Sequence, residues 1–256
     1  MTADIAPEIR RLAHLLGTGP ADLAFLSSLD AADARALRRQ VAESLFEADR
    51  PLFARVVAAS RLVPIAVSVR ITEHTMPPLL AARTAELLDP PRAVEMVRRL
   101  SEGYVADVAA AMDPDRMPDV IRLLPPDRVG VVTAELARRQ EWVVMSGFVA
   151  LVSPAALRAA VSVLDGGQLL QIGYVLDDTS RLDEIASLLT DQQLDEMLGV
   201  AAAESLWTEL DGLLDRLDGA ARERLASRCR DEFLAAAETA AAEGRLSEAG
   251  LEALRS

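Results

Sequence analysis

The chain has 256 residues, a mass of 27.5 kDa and a formal net charge of −13. Hydrophobic residues at 51% and charged residues at 26% fit a folded chain and exclude a disordered one. The acidity argues against a nucleic-acid binder, which needs a basic face, and the single cysteine, Cys229, excludes an internal disulfide or a multi-cysteine metal site.

From the N-terminus, residues 7–16 read as a short helix closed by Gly17, with residues 20–29 as the next. No secretory signal pattern is read there. Asp30 suits the cap of a longer amphipathic helix reaching about Ala48, and Pro51 opens another. In residues 61–76, Ile65, Val67, Val69 and Ile71 alternate as in a strand. Helix is nonetheless the expected state, because Pro64 is a suitable opener and no partner strand is visible elsewhere.

A twelve-residue repeat follows. Pro77, Asp89, Ser101, Asp113 and Pro125 are twelve apart, and the interval returns at Ser153, Asp165 and Asp177. The last position of the unit is Leu88, Leu100, Met112, Leu124, Leu136, Leu164 or Leu176. The fifth is Ala81, Ala93, Val105, Met117, Val129, Leu157 or Leu169. Apolar positions five, eight, nine and twelve make the stripe of an amphipathic helix. Asp and Ser openers can cap that helix, and Pro suits its first turn. Helices this short are unstable alone, so the pattern predicts an all-α solenoid in which each helix packs on its neighbours. Two irregularities stand out: residues 125–153 exceed two units by four, and the register drifts after Asp177, with Asp191 as the next cap-like residue. Beyond it, long helices are expected over residues 194–217, with a possible break near Gly199, and 220–242. Residues 245–256 read as a frayed turn. The expected organisation is one continuous domain: capping helices over residues 1–63, the repeat over 64–190, and an acidic helical cap over 191–256.

Charge is uneven. Residues 177–256 hold 19 acidic residues against 8 arginines, a net of −11, and residues 1–176 a net of −2. The longest uncharged stretch, residues 142–157, is shorter than the roughly 20 apolar residues of a membrane helix, so no membrane span is expected and the cytoplasm is the expected compartment.

Leu88-Asp89-Pro90 with Ala93-Val94 and Leu100, followed by Leu123-Leu124-Pro125-Pro126-Asp127-Arg128-Val129, resembles the N-terminal cytosolic domain of MgtE-type magnesium transporters. The resemblance covers about residues 77–190. It implies a superhelix of short helices acting as a regulatory or docking module, with magnesium sensing by acidic side chains as a further option. The CBS and membrane domains that follow in those transporters are not read in this sequence, so transport is not carried over.

The chemistry-bearing residues are few. His14 and His74 lack metal-ligand spacing; His14 is expected to pack and His74 to lie on the surface. Ser146-Gly147 lacks the flanks of a nucleophile elbow, and Gly166-Gly167 lacks the lysine of a phosphate-binding loop. Cys229 fits a small packing residue. An enzyme is not expected, and no cofactor beyond magnesium is suggested. Asp177, Asp178, Asp183 and Glu184 form the acidic corner that would suit that ion, though aspartates at helix starts already serve as caps. The expected function is a protein-interaction scaffold whose partner is another protein, with oligomeric state open. The alternative is a carrier or sensor of a small apolar ligand, motivated by Trp142, Met145 and Phe148.

Overall fold

Short helices joined by sharp corners account for nearly all of the chain in a computed structural model, which describes residues 6–176 and 178–255. No strand occurs among the described residues. The chain divides into two compact units, Met1–Arg128 and Val129–Ser256.

In the first unit, α1 (Ala6–Leu16) ends at Gly17, whose φ of +66° places it in the left-handed region open to glycine. A 3-10 helix (Pro20–Ser28) follows, in place of an α-helical turn. Leu12, Ala13 and Leu23 form a small core there, packed by Ile9, Leu26, Leu37 and Val41. Glu8, almost fully buried, takes the Arg38 guanidinium at 3.1 Å. Next comes α2 (Ala31–Ser60), capped by Asp30, which accepts from the Asp33 amide at 2.7 Å. This helix continues past Pro51, where the sequence suggests a break. Proline forfeits one backbone bond, but Phe53 and Val57 are buried just beyond it and hold the last turns in place.

The repeat then runs through α3 (Ile65–Thr75), α4 (Pro78–Ala85), α5 (Pro90–Arg99), α6 (Glu102–Ala111) and α7 (Pro118–Arg122), with a 3-10 turn (Pro114–Arg116) before α7. Alternate helices pack: α2 on α4, α3 on α5, α4 on α6, α5 on α7. The helical expectation for residues 65–71 holds, and the alternation there has another meaning, given below. Position five of the unit is buried at Ala81, Ala93, Val105 and Met117. Position twelve is buried at Leu100, while Leu88, Met112 and Leu124 are only half-buried.

The residues in excess of two repeat units fall in α8 (Pro126–Arg138), thirteen residues long, and in the corner after it, where Gln140 has a φ of +59°. The second unit continues with α9 (Trp142–Phe148), α10 (Pro154–Val161), α11 (Gly166–Tyr174), α12 (Leu182–Leu188) and α13 (Asp191–Ala203). A 3-10 turn (Thr179–Arg181) precedes α12. Here α9 packs on α11, α10 on α12, and α11 closely on α13. Gly166 makes that last crossing possible: a Cβ there would overlap the Gln193 carbonyl oxygen and the Met197 amide nitrogen. The apparent drift of register vanishes when the caps are read from the structure. Asp178 caps the 3-10 turn that leads into α12, Thr190 caps α13, and the two lie twelve residues apart, so the irregularity is one inserted residue after Asp165.

The C-terminal reading needs more correction. Instead of two long helices and a frayed tail, the chain forms α14 (Trp207–Leu214), α15 (Gly219–Ala226), α16 (Asp231–Ala242) and α17 (Glu248–Arg255). The first break falls at Ser205, in the left-handed region at φ +59°, and not at Gly199. Trp207 supplies the reason: it is 2% exposed, and the corner turns it into the core. Asp218 caps α15 through the Ala221 amide at 2.7 Å, at the gap expected between residues 217 and 220, and the second long helix is itself broken between Ala226 and Asp231.

Candidate functional site

A recurrent device fixes the helices. The last carbonyls of a helix have no partner within it, and in both units a side chain 28 to 43 residues downstream supplies one. In the first unit Arg92, Tyr104, Arg116 and Arg128 stand twelve residues apart, at the fourth position of the repeat. Arg92 Nη2 donates to the carbonyls of Ser60 (2.6 Å) and Val63 (3.2 Å), and Tyr104 Oη to that of Met76 (2.7 Å). Arg128 donates to the carbonyls of Val97 (2.9 Å) and Leu100. Arg116 instead meets a carboxylate, Glu86 Oε2 at 2.6 Å, which Arg83 also holds at 3.1 Å. Burial pushes the Glu86 carboxyl above its ordinary pKa, against the opposing pull of Arg116 and Arg83.

The second unit repeats the arrangement. Arg181 Nη1 reaches the carbonyls of Val149 (3.0 Å) and Val152 (2.5 Å), and Gln193 Nε2 those of Val161 (3.0 Å) and Leu164 (2.7 Å). Arg216 serves Gly173 and Leu176 at 2.8 and 2.9 Å, and Arg224 serves Ala186 and Leu189 at 3.1 and 2.5 Å. A cation there also offsets the negative end of the helix dipole. Reading the repeat for its apolar stripe alone passed over these residues; the signal of Arg92, Tyr104, Arg116, Arg128, Arg181 and Gln193 was their place three residues after an opener, and Arg216 and Arg224 lack even that.

The acidic corner is tied into the same scaffold. Asp178 caps the 3-10 turn through the Ser180 amide at 2.9 Å, and Asp183 accepts from the Asp218 amide at 3.1 Å. Glu184 binds Arg181 through both oxygens, at 2.8 and 3.1 Å, and that hydrogen bonding holds its carboxyl below the ordinary value. Asp177 lies outside the described residues, as does the His14 side chain. Among the described residues no group of three His, Cys, Asp or Glu side chains is placed to hold a metal ion.

Trp142, Met145 and Phe148 share one face of α9 at intervals of three. Met145 is buried together with Val144 and Ser146, while Trp142 and Phe148 are half-buried. Ser146 Oγ donates to the Val143 carbonyl at 3.0 Å. The Cys229 thiol is half-buried, and burial raises its pKa, which disfavours the reactive thiolate.

The most unusual surface lies on α3 and the turn before it. Ser68 and Thr72 are buried on the side facing α5, while Val67 and Ile71 stand outward, 47% and 49% exposed. Leu62, just ahead, is 87% exposed. The alternating β-branched residues are thus divided: Val69 is buried beside the Ser68 and Thr72 hydroxyls, Ile65 is half-buried, and Val67 and Ile71 face outward. The element is anchored at both ends. Arg92 also reaches Ser68 Oγ at 3.4 Å; Tyr104 holds the Met76 carbonyl; and Glu73 accepts from the Ser101 amide at 3.0 Å. Ser101, by its side chain first and then its amide, lowers the Glu73 pKa.

Charges border this face. Arg70 lies between Val67 and Ile71 on the exposed side, and His74 follows one turn later with Nδ1 2.9 Å from the Arg70 carbonyl. Arg55, Arg61 and Arg70 are exposed and make no hydrogen bond or ion pair through their side chains. Only Arg98 and Arg158 share that condition among arginines whose side chains are described, so the free cations concentrate in residues 55–70. This arrangement presents fixed apolar groups and guanidinium groups that make no hydrogen bond or ion pair among the described residues.

No protein-family model matches this sequence, and neither a curated protein nor a solved structure is significantly similar to it.

Proposed function

We propose that this chain is a non-enzymatic interaction module of the all-α solenoid kind, and that it contacts a protein partner through the outward face of α3. Alternate-helix packing within each unit and the recurring carbonyl clamps support the solenoid reading, which is also what the resemblance to the MgtE N-terminal domain implies. The observation that carries the contact surface is the outward face of α3: Val69, Ser68 and Thr72 are buried while Val67 and Ile71 stand outside, on a helix clamped at both ends. Scattered exposed aliphatics are ordinary. A stripe of them on a rigid helix, beside free arginines, has the character of a binding face.

The test places a photo-cross-linking residue at Val67, with exposed Ala134 on α8 as control, in the native cell. Adducts should form from position 67, disappear when Ile71→Asp is added, and be absent from position 134. Equal adducts from both positions, or none from position 67, would defeat the reading.

A further inference from the structure

Resting on that reading of α3 as a docking face, we infer that its occupant is an acidic amphipathic helix belonging to another protein. The geometry suits a helix: Val67 and Ile71 are one turn apart, and α3 with its eleven residues is about 16 Å long, enough for three turns of a partner. Charge sets the sign. Arg61 and Arg70 are exposed and unpaired, and Glu73, the one acidic residue in the stretch 51–75, already accepts from Ser101. Carboxylates flanking an apolar stripe would meet guanidinium groups that make no ion pair among the described residues.

Two other occupants fit less well. A second copy of this chain would offer its acidic third, net −11 over residues 177–256. Among the described residues, however, every large hydrophobic side chain that stands exposed lies at or before Val163. The acidic third therefore brings charge with no exposed large aliphatic group among its described residues to seat against Val67 and Ile71. An anionic membrane would face the breadth of a molecule of net charge −13, and the resulting repulsion opposes adsorption. A peptide helix is small enough to feel mainly the local field, since charges beyond about 8 Å are screened at physiological salt.

The experiment uses the full chain with isotope-labelled Ile and Val methyl groups. Two fluorescent helical peptides of about fifteen residues share one leucine stripe, flanked by Glu in the first and Lys in the second. Vesicles of phosphatidylglycerol and phosphatidylcholine form a third arm. The Glu peptide should shift the Val67 and Ile71 methyl signals and bind about tenfold tighter than the Lys peptide. Raising salt from about 50 to about 500 mM should weaken it. Arg61→Glu with Arg70→Glu should cost about tenfold or more in affinity, and the Gln pair at the same positions an intermediate amount.

Equal binding of both peptides would overturn the acidic partner while leaving the docking face standing. Methyl shifts caused by vesicles and not by peptides would overturn it in favour of a lipid surface. Failure of both peptides alongside cross-links from position 67 would overturn this inference alone. Failure of both peptides with no cross-links would overturn the docking face as well.

Discussion

Removing the guanidinium of Arg181 would strand three acceptors at once: the carbonyls of Val149 and Val152, and the Glu184 carboxylate. Hydrogen bonds from a charged donor contribute about 1.5–3 kcal/mol each when partly buried. Arg181→Ala should therefore lower the unfolding free energy in urea by about 2–4 kcal/mol. Arg158→Ala, which removes an exposed arginine that makes no hydrogen bond or ion pair and acts on Glu184 only by its charge, should stay within about 0.5 kcal/mol. Similar midpoints for the two variants would mean the clamps do not stabilise the corners. Gly166→Ala drives a methyl into the backbone of α13 and should cost about 3 kcal/mol or more. Gly219→Ala, with open space at the start of α15, should be neutral or mildly stabilising. Glu135 is the sharpest titration test. Hydrogen bonds from Arg138 and Arg139 hold its pKa down to about 2, against an ordinary 4.5. A depressed carboxyl stabilises the fold fully above its unfolded-state value and loses that contribution as pH falls toward about 2. The raised Glu86 works with the opposite sign, because its ionisation disfavours the folded state as pH rises. Carboxyl-carbon NMR should find Glu135 titrating near 2 and Glu86 above the ordinary value. A Glu135 titration near 4.5 would remove the basis for that ion-pair network.

At the scale of elements, the repeat was legible because its determinants are local. Asp89, Ser153 and Asp165 cap helices as expected, each accepting from an amide three residues on. Ser101 opens a helix without capping it by its side chain, its amide being taken by Glu73. Leu100, Leu136, Leu164 and Leu176 are buried as the register predicts, whereas Leu124 is half-buried because it sits in the corner before α8. Leu176→Ala should then cost about 2–5 kcal/mol and Leu124→Ala clearly less; equal losses would mean the two sites do not differ as their burial indicates. The α2 helix makes the converse point. Pro51 reads as an opener, yet burial of Phe53 and Val57 carries the helix across it. Pro51→Ala restores an amide donor and should stabilise the fold by about 1–3 kcal/mol, measured by thermal unfolding.

Across the whole molecule, a net charge of −13 and a pI near 4.7 govern solubility more than fold. Among the described residues no helix is long and apolar enough to cross a membrane. Self-repulsion vanishes near the isoelectric point, so light scattering should rise most steeply around pH 4.7. Val67→Ser with Ile71→Ser should reduce that scattering while leaving the melting transition nearly unchanged, because the side chains removed are half exposed and contribute little to the core. A large drop in melting temperature would show that this face supports the fold.

The helical class, the twelve-residue period and most caps were written in the sequence, since cap, stripe and corner all act within one short helix. What tertiary structure decided lies further apart along the chain. The clamps join residues 28 to 43 positions apart, and such a bond has no local pattern to announce it. The face of α3 was decided the same way. Its alternating Ile65, Val67, Val69 and Ile71 mark no inside or outside until packing buries Val69 with Ser68 and Thr72 and leaves Val67 and Ile71 outside. The break at Ser205 likewise followed from the burial of Trp207 and not from any helix-breaking residue. Propensity is worth tenths of a kcal/mol per residue, and burying a large side chain is worth about 1.5–3 kcal/mol, so where the two disagreed packing chose the structure.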